Sequence, residues 1–406
     1  MSSALDESAG SDKKGQASRV DFLDGIRGWA SVLVLFAHLI GGVLAFSTPE
    51  LDIRLFADQK GSSFWGVIYG VLLRLLTDGH LAVLIFFVLS GYALSVSHFN
   101  LQKNTLALAA ASRYFRLMIP IFFTSLIAYG LLKVGLFFNL EAAATSPALS
   151  DWLGSFYKFD ASIQNVVSFS LYDVFFKYQE EATYNSSLWT MPVELIGSFL
   201  VFGILAIFRR SNAIQWKIIA LLTIALLDSM PLYACFILGY FIAEFNKGFI
   251  SGGHRYCVEV FLLVVFVGVS VVSTFPEFRG DDMVTCLIAT VLVASASFSS
   301  TLRGIFSNRL SRFLGKISFP LYLIQILVIC SWSSYLFLKM PQLGVSTLVA
   351  VSINLFSTTS LCIGLSVLLL PIERFSIFAS KKLGGLLLAK GANCAFPRSH
   401  ASLPPM

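Results

Sequence analysis

Few residues in this chain could move a proton or grip an anion from within an apolar segment, and they fall at helical spacing. The first apolar run reads LDGIRGWASVLVLFAH, with Arg27 near its start and His38 at its end. Eleven residues at about 100° each return to within roughly 20° of the same helix face, about 16 Å further along. One face would thus carry a guanidinium at one membrane interface and an imidazole near mid-membrane. Imidazole is the natural general base near neutral pH, and the Arg fork fits phosphate oxygens. A snorkelling Arg and a His hydrogen-bonded between helices explains the pair equally well. Arg113 and Arg116, in SRYFRLMIP, are three apart and share a face; they would anchor a helix end or clamp a diphosphate. Glu194 follows SLWTMPV, about seven residues into an apolar segment, where a carboxylate needs a partner or an aqueous cavity. It could orient His38 or a substrate hydroxyl. Ser90 and Gly91 allow close helix approach, and Ser90 has no base beside it in sequence to make it a nucleophile. Tyr322 and Gln325 are i, i+3 partners, His80 reads as interfacial, and Glu373 reads as solvated at a helix end. No His, Cys or carboxylate cluster has metal-ligand spacing, so neither a metal nor a bound cofactor is expected. The six cysteines form no CxxC and read as small buried hydrophobes.

These side chains need positioning elements, and the composition says what kind. Of 406 residues, 56% are hydrophobic and 13% charged, with mean hydropathy +0.78. Soluble domains carry about 25% charged residues, so most of this surface must face lipid. The expected fold is an all-α, polytopic transmembrane bundle. Spans of about 20 apolar residues are expected near 28–47, 80–97, 116–138, 188–208, 213–229, 231–246, 257–275, 283–300, 317–338 and 346–370. Phe64 to Leu76, short and carrying Arg74, reads as an interfacial or re-entrant helix. Basic residues gather in alternate loops: Lys103, Arg113 and Arg116; Arg209, Arg210 and Lys217; Lys247 and Arg255; Arg303, Arg309, Arg312 and Lys316; then Arg374, Lys381, Lys382, Lys390 and Arg398. The positive-inside rule then places both termini in the cytoplasm. The expected domain layout is a cytoplasmic tail over 1–20 without a cleavable signal, a membrane domain over 21–378, and a cytoplasmic tail over 379–406. A net charge of +6 lies in these loops, not in a patch with interleaved aromatics, which argues against nucleic acid. The opposite side holds a long segment, about 139–187, rich in aromatics. Long loops of this kind usually carry function or are disordered; the aromatics argue for order, either as a sugar-stacking surface or as interfacial anchors. No internal repeat is visible, which counts against a repeat-built transporter.

Taken in order, these motifs resemble the acyltransferase-3 family of integral membrane acyltransferases. The resemblance rests on Arg27 and His38 within LDGIRG…FAH, then FFVLSGY (86–92), RYFR…P (113–120), SLWT…E (187–194), CFILGYFIA (235–243) and FLGKISFPLYLIQ (313–325), and it spans about residues 21–378. It implies a transferase that takes an acyl group, usually acetyl, from cytoplasmic acyl-CoA as co-substrate. Delivery is to a hydroxyl of a carbohydrate, glycolipid or glycoside, as in polysaccharide O-acetylation. By position it implies His38, Arg27 and Glu194 as catalytic residues, with Arg113, Arg116, Ser90 and Tyr322 against acyl-CoA. Relatives often end the ninth-span motif with His where this chain has Gln325. Gln cannot take a proton, so no catalytic role falls to Gln325, and the departure bears on the acceptor. The membrane would be a bacterial inner membrane or a eukaryotic internal one. The rival reading is a transporter or flippase without chemistry.

Overall fold

The computed structural model describes residues 21–44, 64–99, 103–145, 147–208, 213–249 and 256–395. The tail expected over 1–20 lies outside them. Among the described residues every regular element is helical. Helix α1, Asp21–Gly41, ends in a π-helical turn over Ala37–Gly41 that contains His38. Then come α2 (Phe64–Leu76), α3 (Gly79–His98), α4 (Lys103–Val134), α5 (Thr190–Ile207), α6 (Ala213–Ser229), α7 (Pro231–Phe249), α8 (Tyr256–Val272) and α9 (Asp282–Phe298). The chain ends in α10 (Ser300–Phe306), α11 (Arg309–Val328), α12 (Ser334–Gln342) and α13 (Thr347–Ala395). A π turn over Ile329–Ser333 joins α11 to α12.

Each of the ten expected spans coincides with a helix. Six stretches among the described residues are long and apolar enough to cross a membrane, and α9 with α10, bent by 98°, would make a seventh. The apolar stretch Pro231–Asn246 of α7, and α8, fall below that length. The protein is a multi-pass, all-helical membrane protein. Helix α13 runs without a break past the expected domain boundary at 378, as far as Ala395.

Two close crossings fix the part of the bundle that matters here. In the first, α1 lies against α11. A Cβ on Gly28 would stand 2.4 Å from the Gly315 nitrogen, and one on Gly315 would stand 2.4 Å from the Asp24 carbonyl oxygen. Only hydrogen fits at both positions, so the glycines of LDGIRG and FLGKIS bring two backbones into contact. That contact sets Arg27 beside Lys316. In the second crossing, α3 lies on α7: a Cβ on Gly91 would meet the Phe236 carbonyl oxygen at 2.1 Å, and one on Gly239 would meet that of Val88 at 2.1 Å. Ser90 is thereby held on the inner side of α3. Cys235 and Cys286, on α7 and α9, are both buried and meet with their sulfurs 2.8 Å apart. Tertiary packing thus pairs two cysteines that sequence spacing leaves apart.

The long segment between α4 and α5 is a packed cap of short helical turns. Phe156, Tyr157, Phe169, Phe175 and Tyr184 are buried in it, and Phe137 stacks on Tyr157 with centroids 4.0 Å apart. Most of the aromatics expected to form a sugar-stacking or bilayer-facing surface are interior packing instead, because a segment with so little regular structure needs its own core. Tyr172 and Phe176 do remain exposed. The phenols of buried Tyr157 and half-buried Tyr178 donate to the carbonyls of Tyr184 and Ser186, at 3.2 and 3.0 Å. Burial raises the pKa of both, that of Tyr178 to about 12, so they stay protonated donors.

Candidate active site

A cavity of about 510 Å³ opens between α1, α3, α4, α5, α11 and α13. Asp24 and Arg27 enter it from α1, Phe86 and Ser90 from α3, Arg113 and Arg116 from α4, and Thr190 and Glu194 from α5. Lys316 and Tyr322 enter from α11, and Glu373 and Arg374 from α13. Lys316 and Arg374 are exposed, whereas Thr190 and Tyr322 are buried. The mouth therefore lies at the Lys316 end and the floor at Tyr322.

Its walls are cross-braced by charge. Arg27 Nη1 donates to Asp24 at 3.0 Å one turn back on α1. Arg116 reaches Glu373 at 3.2 Å, tying α4 to α13. Deeper in, Arg113 forms an ion pair with Glu194, and its Nε donates to Ser198 Oγ at 2.8 Å. Ser90 donates to the same Glu194 carboxylate at 2.7 Å. Carboxylates this far into a bundle need such partners, and Glu194 has both a cation and a hydroxyl.

The floor is a hydrogen-bonded knot. The Tyr322 hydroxyl donates to the Ser187 carbonyl at 2.7 Å and lies 2.9 Å from Thr190 Oγ1. Phe86 packs edge-on against the Tyr322 ring, with centroids 5.9 Å apart. One turn further along α11, Gln325 donates to the Tyr322 carbonyl at 3.4 Å and faces the His38 imidazole. His38 does not line the cavity. It sits beyond the floor, with Trp152 of the cap stacked on its ring at 5.5 Å and 19°. Trp152 also seals against Gly42, where a Cβ would fall 2.5 Å from the indole. His38 Nδ1 and Gln325 Oε1 are buried and have no hydrogen-bond partner among the described residues. Buried polar atoms are almost always satisfied, so two orphans side by side mark where a polar ligand group would fit.

Residues 20–368 match the family model described as an acyltransferase domain, of the acyltransferase-3 type. This chain belongs to the acyltransferase-3 family. It is therefore an enzyme that transfers acyl groups other than aminoacyl groups. No curated protein and no solved structure matched it.

In this acyltransferase, Arg27, Ser90, Arg113, Arg116, Glu194 and Tyr322 converge on one cavity, and His38, expected to act with Arg27 and Glu194, lies outside it. Two expectations are corrected. Glu194 does not orient His38: it is bound to Arg113 and Ser90 below the knot, and Gln325 is the polar side chain that faces the imidazole. Glu373 is not a solvated helix end, because Pro371 leaves α13 unbroken and the carboxylate turns inward to Arg116. Sequence reasoning also missed Asp24, Trp152, Lys316 and Arg374 as parts of the site. Lys316 and Arg374 had been counted as loop charges, although both fall within helices. Trp152 was invisible because it comes from the cap, more than a hundred residues from His38.

Proposed function

We propose that this acyltransferase takes an acyl group, acetyl in the family's usual chemistry, from acyl-CoA held in the cavity and delivers it to a hydroxyl group at His38. The acceptor is a carbohydrate, a glycolipid or another hydroxyl compound. The observation that supports this most is a cation-lined cavity ending at Tyr322, with the His38 imidazole, whose Nδ1 has no hydrogen-bond partner among the described residues, behind its floor. Such a layout separates a polar, phosphate-compatible donor side from an acceptor side. In this reading the thioester passes the Tyr322 and Phe86 side chains to reach His38. Nδ1 accepts the acceptor's hydroxyl proton as its oxygen attacks the thioester carbon. The carbon–sulfur bond breaks, the CoA thiolate leaves, and the proton held by the imidazolium returns to that sulfur. Gln325 Oε1 accepts a hydrogen bond from the acceptor and needs no proton of its own. Trp152 fixes the imidazole plane, a task that the sequence reading gave to Glu194.

The arrangement is also read as ten spans with both termini cytoplasmic, so that the cavity mouth opens to the cytoplasm, in a bacterial inner membrane or a eukaryotic internal membrane. The cluster of basic residues near the mouth supports this. Single cysteines placed at Lys177 and Lys381 should react with an impermeant maleimide from opposite sides of sealed vesicles; labelling from one side would overturn that topology. The chemistry is tested by CoA release from acetyl-CoA in membranes carrying wild type or His38→Ala at matched expression. A general base contributes about 10²–10⁴-fold, so release should fall at least a hundredfold. Equal rates would remove His38 from the mechanism.

A further inference from the structure

The cavity's charges are not equivalent. Three of its cations, Arg27, Arg113 and Arg116, each already face a carboxylate within the wall. Their positive charge is locally cancelled, and drawing any of them onto a ligand phosphate would leave an acid in a partly buried wall without its partner. The remaining two, Lys316 and Arg374, have no carboxylate partner among the described residues. Both are exposed at the mouth, and both line the cavity instead of pointing only to lipid or solvent. They come from different helices, α11 and α13, which pack against each other, so they approach the mouth from two elements. Arg374 lies beyond the stretch matched by the family model.

On the acyl-CoA reading above, we infer that Lys316 and Arg374 are the phosphate seat for the donor, and that Arg113 and Arg116 are structural braces of the wall. CoA is a long ligand with its thioester at one end and its phosphates toward the other. A cavity entered by the thioester leaves the phosphates at the mouth, where these two cations stand. Arg offers a planar fork to phosphate oxygens and Lys a point charge. The charge excess of the mouth also makes donor capture depend on ionic strength.

The test compares KM for acetyl-CoA with KM for S-acetyl-pantetheine, which carries the same thioester and arm but no phosphate. The proteins are the full-length wild type, Lys316→Gln, Arg374→Gln and the double variant, in detergent. Neither side chain has a partner to lose, so thermal unfolding should be unchanged, and this is measured alongside. For the wild type, acetyl-CoA should have much the lower KM. Each single variant should raise the acetyl-CoA KM about tenfold, leave that for acetyl-pantetheine within twofold, and flatten the salt dependence. The double variant should bring the two donors close together. An acetyl-CoA preference that survives the double variant would overturn the seat while leaving the donor reading intact. Wild type that neither turns over nor binds acetyl-CoA would overturn the donor reading, and the seat with it.

Discussion

The two sides of the Tyr322 knot are built on opposite principles. Below it, nearly every polar group is spoken for: Glu194 holds Arg113 and Ser90, Glu373 holds Arg116, and Asp24 holds Arg27. Above it, aromatic packing surrounds an imidazole and an amide that each keep a buried atom without a partner. Satisfied ion pairs make a rigid wall that costs a ligand little reorganisation. Orphaned polar atoms make a site that is incomplete until something binds. The difference suggests that the donor side owes its shape to the protein alone, whereas the acceptor side is completed by its substrate.

The largest effect that would break this contrast is on the wall. Glu194→Ala should leave Arg113 without its counter-ion. Removing one partner of a buried pair costs about 3–5 kcal/mol; at 12% and 17% exposure for the two side chains, the lower end of that range applies. Thermal unfolding in detergent should show a clear loss of stability, and pairing the change with Arg113→Met should recover most of it without restoring acyl transfer. If Glu194→Ala unfolds like wild type, the wall does not depend on its ion pairs. A smaller effect sharpens the other side. Trp152→Ala should remove a ring contact worth about 0.5–1.5 kcal/mol, and with it the constraint on the imidazole plane. The expected outcome is a few-fold to tenfold lower kcat with an unchanged KM for the donor. A change in donor KM instead would mean that the cap reaches the cavity, and the separation at Tyr322 would not hold.

How much of this was legible beforehand follows the same divide. The helices could be read because each span must satisfy its backbone internally and cover itself with apolar side chains, which leaves long uniform runs in the sequence. The cavity residues could be read because a charge in such a run is rare: Arg113, Arg116 and Glu194 stand out against Leu and Phe. What could not be read was pairing. Three acids and five cations in one cavity allow several matchings, and the packing of α4 against α5 and α13 decides which of them meet. Lys316 and Arg374 were hidden by their similarity to ordinary interfacial cations. The cap was hardest, since its aromatics carry no period and Trp152 meets His38 only through tertiary packing. The π turn under His38 was likewise unreadable, because an extra residue in a helix leaves no mark in an apolar pattern.

The knot at Tyr322 also has an electrical consequence. A water-filled cavity conducts, so a membrane voltage does not fall across it. With the cavity filled by water, it would fall instead across the stretch between the Tyr322 floor and the far side of the His38 turn. One elementary charge carried across the full potential is worth about 2.3 kcal/mol per 100 mV, and in the proposed mechanism a proton moves within that stretch. On the proposed chemistry, an energised membrane would tilt the step at which the two halves of the site communicate, and turnover would follow the voltage without any substrate being carried across.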